Sequence, residues 1–587
     1  MIITRPAYTL EVSTERPRAT LSDPDGRVWS VLSLVGTADR VDARDETLPG
    51  VTTEVVEEDG VSRVVVTQPS AAWARKAVVL ECHPDRVAVR LEVAGDGWLT
   101  EVSLLGGRAI LPTGAAGTFR SSTGFASVFV PTPTEPIAVA RPAAAAAVLS
   151  AVGDAEAGRL NGIFSPPPLC FAFGREAATR ATKPPKGAWL AAWVDCPIDE
   201  MTFTQVGYSP LDGGFRFTLD YEAHTVVDGA WTSPTLVLRP TASAWTALAE
   251  YAEAVTPPPP AQAPDESPAW WLEPIFCGWG AQCALAAARL REAPLDDAGM
   301  VGGATVFTAA GLATQENYDR WLAHLADHGV NPGTVVLDDK WQLHYGDNDP
   351  DPAKWPDLKA WIARQHGAGR RVLLWFKAWD PQGLPPEECI VDALGTPIAA
   401  DPGSPAYQER LRDRIGWLLG PDGLDADGFK VDFTQRLPTG ASLRGRGPWG
   451  IAGLHRLMAG VYAAAKAAKP DALVINHTVH PAFADTTDMV RLNDVLRYDT
   501  ALGEVPVAHQ LRFRAKVAAA VLPGKPIDTD QWPMPNRAEW LAYADKQWRL
   551  GVPALYYVDR IDNSGEAITP DDLAFVAQTW ERYREER

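Results

Sequence analysis

The chain has no apolar run near the roughly 18 residues that crossing a bilayer requires. Its N-terminus, MIITRPAYTLEVSTERP, has no apolar signal-peptide core. Membrane spans are thereby excluded, and a cytoplasmic protein is the expectation. Positive charge is also short. The formal net charge of −20 argues against nucleic acid as a partner, because phosphate binding needs a positive surface. Cysteine is scarce, with six residues (82, 170, 196, 277, 283 and 389) that form no C-x-x-C pair and no zinc-ligand spacing. Reduced, packed thiols are expected, with neither a disulfide framework nor a metal site. No internal repeat of fixed period occurs, and no cofactor is implied. Self-association is compatible with all of this and is not specified by it.

What is present divides into two halves. At 587 residues the chain exceeds what one core serves. Residues 1–240 alternate apolar and polar in short runs around turn residues. VTTEVVEEDGVSRVVVTQ turns at Asp59-Gly60, and RATLSD and RVWSVLSLVG flank Asp25-Gly26. KAVVLECHPDRVAVRLEV, GGFRFTLDYEAHTVVDG and PTLVLRP continue the pattern. A large antiparallel β-supersandwich is predicted. Residues 241–267 read as a helix, TASAWTALAEYAEAV, followed by a stiff proline-rich linker, PPPPAQAP at 257–264.

From 268 to 587 the period changes to strand, helix, strand. Eight strands are predicted in PIFCGWG, GTVVLDDKW, RRVLLWFKAW, DGFKVDF, ALVINHTV, DMVRLNDV, KPIDTDQW and PALYYVDR. Helical patterns fall between most of them, and a catalytic (β/α)8 TIM barrel is the expected fold of this half. A doubly wound sheet is disfavoured because no glycine-rich phosphate loop follows the first strand.

Barrel active sites lie at the C-terminal strand ends. Those ends carry Trp279; Asp338, Asp339 and Trp341; Trp375 and Lys377; Lys430 and Asp432; His477; Arg491 and Asp494; and Trp532. Lys430 and Asp432 stand at i and i+2 on one strand face, where an ammonium would keep a nucleophilic carboxylate ionised. An inward salt bridge that closes the barrel is the structural alternative. A second carboxylate must protonate a leaving group, and spacing modestly favours Asp494 over Asp499; Asp485 and Asp499 lie in flanking loops, and Asp488, at the strand's start, should face away from the site. Asp338 and Asp339 beside Trp341 offer acceptors for vicinal hydroxyls next to an apolar plane, as a sugar ring requires. An N-cap role for an Asp is the alternative. The 22 tryptophans suit sugar stacking, although most serve a core. His477 and His480, three apart on a strand, face opposite sides, so shared metal ligation is not expected.

These strand ends together resemble the α-galactosidase clan of glycoside hydrolases, family 36 in particular. Asp338-Asp339-Lys340-Trp341 matches its D-D-x-W motif, Leu374-Trp375-Phe376 its L-W-F, and Lys430-Val431-Asp432 its K-x-D. The resemblance implies Asp432 as nucleophile, Asp494 as acid/base, Arg491 as the arginine preceding it, and Trp279, Asp338, Asp339, Trp341, Trp375, Lys377, Lys430, His477, Arg491 and Trp532 as substrate-binding residues, with no metal. It implies a retaining α-glycosidase of α-galactosidase type acting on an oligosaccharide or glycoside. The alternatives are an α-N-acetylgalactosaminidase, a glycosidase for acidic sugars, a transglycosylase of the raffinose-synthase type, a metal-dependent barrel hydrolase and a non-catalytic carbohydrate-binding protein. The chain departs from the pattern at Lys340, where D-D-G-W has glycine, and at Lys377, where glutamate often follows L-W-F. It also stops after the last barrel helix, where family members carry a further β-sandwich. Lys340, Lys377, Lys430, Arg436, Arg491 and Arg560 give the barrel mouth more cation than a neutral sugar needs.

Overall fold

The computed structural model describes residues 1–58, 60–131, 140–153, 163–177, 187–258, 267–292, 301–495, 498–499, 503–504 and 506–587. The expected turn residue Asp59 and residues 259–264 of the proline-rich linker lie outside them, as does the side chain of Asp499.

Every strand pair of the N-terminal half is antiparallel, in sheets of four, seven and ten strands among the described residues. Alternation decides which face is covered. Along Val61–Thr67 and Gly214–Val227, every second side chain is buried over most of the strand. The seven- and ten-stranded sheets pack through aromatic rings. Phe171 and Phe173 of Cys170–Gly174 meet Phe217 and Tyr208 from the other sheet at 5.8 and 5.2 Å. The hairpins expected around Gly26, Gly60 and His83-Pro84-Asp85 are present, joining Arg18–Ser22 to Val28–Ser33, Thr52–Glu58 to Val61–Thr67, and Arg75–Cys82 to Val87–Ala94. A fully buried ion pair, Lys76 Nζ to Asp45 at 2.8 Å, lies within this half.

The last sandwich strand ends at Thr241, and Ser243 caps the helix Ala244–Val255 by accepting from the Thr246 N–H. Trp245 of that helix joins Phe129 of the sandwich to Phe513 of the barrel, with rings 5.2 and 5.7 Å away.

The barrel strands are β1 (Ile275–Cys277), β2 (Thr334–Leu337), β3 (Arg371–Lys377), β4 (Gly428–Asp432), β5 (Leu473–Asn476), β6 (Met489–Arg491), β7 (Ile527–Asp528) and β8 (Ala554–Leu555). All neighbours are parallel. β8 pairs with β1, and a bridge from Asp528 to Val552 closes the ring. Residues of β2, β4 and β5 are almost wholly buried, as expected of parallel strands covered on both sides. Two helices between β1 and β2 fall outside the helical segments read from sequence, Trp279–Glu292 and Val301–Ala310. Gly278-Trp279-Gly280 had suggested a strand end, but Trp279 already begins a helix. Gly280 permits this because a Cβ there would lie 2.7 Å from the Tyr556 carbonyl oxygen. All six cysteines are free thiols. Among the described residues no helix is long and apolar enough to cross a membrane.

Candidate active site

The site is organised by one arginine. Arg491 ends β6 and is 2% exposed. Its Nε donates to Asp530 at 2.6 Å, and Nη2 donates to Asp494 at 2.9 Å and to the Asn493 side-chain oxygen at 2.5 Å. Nη1 forms an ion pair with Asp432 Oδ2 at 3.0 Å. The C-terminal ends of β4, β6 and β7 therefore meet on a single guanidinium, and Asp432 and Asp494 face a common space. The Phe433 N–H and the Trp375 indole N–H also donate to Asp432, at 2.8 and 3.2 Å.

One positive charge cannot neutralise three carboxylates in surroundings of low polarity, so the cluster separates their proton affinities. Burial alone would raise Asp432, but Arg491, backed by Lys430, overcomes it and holds this carboxyl well below the usual range. Asp530 is likewise held down against its burial by Arg491 and Lys430. Asp494 goes the other way. Half of its side-chain surface is open, while its other side meets the Arg491 guanidinium. Desolvation, with repulsion from Asp432 and Asp530, outweighs Arg491 and pushes it up to about 7. The arrangement gives one ionised carboxylate and one that holds a proton near neutrality, the division of labour that acid/base and nucleophilic catalysis need.

The loop bearing Asp494 is braced from two sides. Arg514, on the helix Val507–Val521, donates from Nη1 to the carbonyl oxygens of Leu492, Asn493 and Asp494 at 2.8, 2.8 and 2.7 Å. Asn493 adopts φ +64° and donates to the Ile163 carbonyl at 2.7 Å. The Thr434 hydroxyl donates to the Ser165 carbonyl at 3.1 Å, and the Ser165 N–H donates to the His477 carbonyl. Residues of the N-terminal half thus hold the loops that follow β4, β5 and β6.

Lys430 was expected to be the cation that keeps Asp432 ionised. Its ammonium instead pairs with Asp338 at 2.7 Å, and both side chains are 3% exposed. Residues at i and i+2 of a strand stand about 6.7 Å apart, and β2, separated from β4 by β3, brings Asp338 to Lys430 inside the barrel, where alternate strands share a side-chain layer. The Cys277 thiol also donates to Asp338, at 3.0 Å. The inward salt bridge and the cation near the nucleophile are therefore both present, but Arg491 is the direct partner.

Asp339 accepts from the Tyr345 hydroxyl at 2.8 Å, and burial pushes it up to about 6. Lys377 stands opposite Asp432 in the β3–β4 register and pairs with Asp380 at 2.8 Å. Trp279 and Trp532 meet edge to face with centroids 5.7 Å apart, and the Trp532 indole donates to Asp562 at 2.9 Å.

Two expectations need correction. Trp341 has no accessible surface, and its indole N–H donates to the Trp375 carbonyl at 2.8 Å. The turn at Lys340, φ +71°, sends the ring into the core, so it presents no plane to a sugar. His477 is also fully buried, with Nε2 2.8 Å from the Thr434 hydroxyl. Burial and Arg491 lower its pKa to about 3, so it stays neutral and supports the Asp432 loop without touching the pocket surface. His480 is turned elsewhere, with Nε2 2.7 Å from the Tyr251 hydroxyl.

Three contributors were not singled out in the sequence. Asp530 lies in DTDQW, two residues past the end of β7, with φ +49°, and its place at that strand end carried no assigned role. Arg514 interrupts the buried stripe Val507, Leu511, Ala518, Val521 of its helix. Buried charge on an apolar stripe was the readable signal for it. Tyr345 lies in a loop and carried none.

No protein-family model matches the chain, and no curated protein matches it. Solved structures do. A GH31 family sulfoquinovosidase from E. rectale, in complex with an aza-sugar inhibitor, aligns over 99% of this chain and 82% of its own at 11% identity and a TM-score of 0.59. An α-galactosidase from Lactobacillus brevis covers 100% and 83% at 12% identity and 0.51. A cycloalternan-degrading enzyme from Trueperella pyogenes, in complex with isomaltose, covers 95% and 82% at 14% identity and 0.51. The chain thus has the β-sandwich and (β/α)8-barrel fold of these glycosidases. The likeness extends over nearly its whole length.

Proposed function

We propose that this chain is a retaining α-glycoside hydrolase in which Asp432 is the nucleophile and Asp494 the general acid/base. One observation carries the reading: a single buried arginine pairs with both Asp432 and Asp494, at 3.0 and 2.9 Å, in surroundings that favour the ionised form of the first and raise the pKa of the second. Asp432 attacks the anomeric carbon as the bond to the leaving oxygen breaks, and Asp494 gives its proton to that oxygen. Asp494, now ionised, takes a proton from water, which attacks the same carbon and displaces Asp432 with overall retention. Arg491 stabilises the carboxylate form of Asp432, and Trp375 and the Phe433 N–H hold its orientation. The motif resemblance and the α-galactosidase among the structural neighbours make an α-galactoside the first substrate to assay. The sulfoquinovosidase makes a sulfonated sugar the second.

The test is a pair of variants on activated aryl α-glycosides. Asp432→Ala should lose several orders of magnitude in kcat and remain folded. Asp494→Ala should turn over slowly and be accelerated by azide, releasing the β-glycosyl azide. Wild-type rates in Asp432→Ala, or a first-formed product of inverted configuration by NMR, would overturn the proposal.

A further inference from the structure

We propose that the pocket takes a glycoside bearing an anionic group, a carboxylate, sulfonate or phosphate, and that Lys340 and Lys377 form the subsite for it. This rests on the glycosidase reading of Asp432 and Asp494 and adds the substrate class.

The structure sorts the six cations expected around the barrel mouth. Lys430 is taken by Asp338, and Arg491 by three carboxylates. Arg560 lines a separate cavity of about 480 Å3 with Arg289 and Arg320. Arg436 is exposed beside Phe433. Lys340 and Lys377 are left, and they converge. Their ammonium groups lie 3.8 and 4.0 Å from the centroid of the same Tyr345 ring. Asp380 pairs with Lys377, and Asp339 and Asp351 also act on the charge of Lys340, so the two ammonium groups sit together among carboxylates at the Tyr345 ring. The hydrogen-bond partner of the Lys340 ammonium is the neutral side-chain oxygen of Gln382, at 2.8 Å.

The pair is one ring removed from the nucleophile. Tyr345 stands 5.8 Å from Trp375, whose indole N–H donates to Asp432. Lys340 also occupies a backbone position, φ +71°, that glycine adopts without strain and that the D-D-G-W pattern fills with glycine. A lysine there gives up that ease and places an ammonium at the pocket. Lys377 draws the Asp339 carboxyl down against its burial, but the direct hydrogen-bond partner of Asp339 is the Tyr345 hydroxyl, and those of the two ammonium groups are Gln382 and Asp380. A ligand oxyanion at the Tyr345 ring would accept from both ammonium groups, in the place where the neutral Gln382 oxygen now accepts from Lys340.

The experiment compares matched 4-nitrophenyl α-glycosides: galactoside with galacturonide, glucoside with glucuronide and 6-phosphoglucoside, quinovoside with 6-sulfoquinovoside. Each is assayed with wild type, Lys340→Gly and Lys377→Met. Lys340→Gly suits the local backbone and should fold. In at least one pair the charged member should exceed the neutral one by tenfold or more in kcat/KM, and that ratio should fall at least tenfold in each variant. The charged member that wins identifies the oxyanion. Cleavage of neutral members with no charged preference, or a ratio unchanged in both variants, overturns this inference and leaves the glycosidase reading standing. If no member is cleaved, the glycosidase reading falls. The subsite is then judged by calorimetry with free galacturonate, glucuronate, glucose 6-phosphate and 6-sulfoquinovose, and absence of Lys340-dependent binding overturns it.

Discussion

Replacing Arg491 by methionine removes the one charge on which Asp432, Asp494 and Asp530 converge, while keeping most of the apolar stem. Three carboxylates would then lose their shared direct partner, with the more distant Lys430, already paired with Asp338, still acting on them. Breaking one partner out of a buried ion pair costs about 3–5 kcal/mol, and the site should sit at the upper end because three contacts are lost together. The penalty must depend on pH, and its sign follows from the directions above. In the wild type, Asp432 is held below its unfolded value. It therefore contributes stability that is complete above about pH 4 and lost as pH falls through its folded value. Without Arg491 its affinity for a proton rises above the unfolded value, so the variant gains from acid where the wild type loses. The gap between the two melting temperatures should be widest at pH 8 and narrow steadily toward pH 5. Differential scanning calorimetry at four pH values reads this directly, and kcat/KM read alongside should be lowered by at least a hundredfold. A gap that stays constant with pH, or that widens in acid, would refute the charge-sharing account even if activity were lost.

In the wild type, kcat/KM should fall above about pH 7 as Asp494 loses its proton, and the acid side should stay flat to well below pH 5 because Asp432 remains ionised. A pH–rate profile on an aryl glycoside with a poor leaving group checks both limbs. Arg514→Met should lower kcat ten- to a hundredfold, with a smaller change in KM, because it frees the carbonyls of Leu492, Asn493 and Asp494; an unchanged kcat in a folded variant would remove Arg514 from the site's support. Lys76→Met in the sandwich should lower stability by about 3–5 kcal/mol, since it leaves the buried Asp45 without its ion-pair partner, with the Ala38 N–H and Ser70 hydroxyl still donating to it, and should leave kcat/KM untouched at temperatures where the variant is folded.

The barrel was readable because its strands are short apolar runs that end in polar clusters, and each run has only one plausible partner order. The charged ends of GFKVDF and DMVRLND pointed to the strands that bear Asp432 and Asp494, which meet on Arg491, and the family resemblance, more than spacing, chose Asp494 over Asp499. The pairing within the cluster was not readable. Lys430 and Asp432 are neighbours along the chain, yet the ammonium turns to Asp338, 92 residues earlier, while Arg491 comes from a strand 59 residues later to meet Asp432. Lys430 and Asp338 sit on strands separated by β3, so their meeting follows from how the barrel closes around its interior, which one-dimensional spacing does not carry.

Trp341 and His477 show the same limit from the other side. Both follow a strand end and both have a chemistry that suits sugar binding, but a side chain just past a strand points wherever the first turn sends it. At Lys340 that turn is left-handed, and one residue later the indole is in the core. The turn also puts the Lys340 ammonium on the ring of Tyr345, beside Lys377. One backbone angle thus takes away an aromatic platform that the motif seemed to offer and adds a cation that the motif lacks. If the barrel keeps its two carboxylates while the walls change by single turns of this kind, substrate charge should follow from residues 340 and 377 while the catalytic pair stays constant. Lys340→Gly with Lys377→Glu, the residues the family pattern has at those positions, should then move preference toward neutral α-galactosides with Asp432 and Asp494 unaltered, and a double variant that still favours the charged member of a matched pair would show that the discrimination is made elsewhere in the pocket.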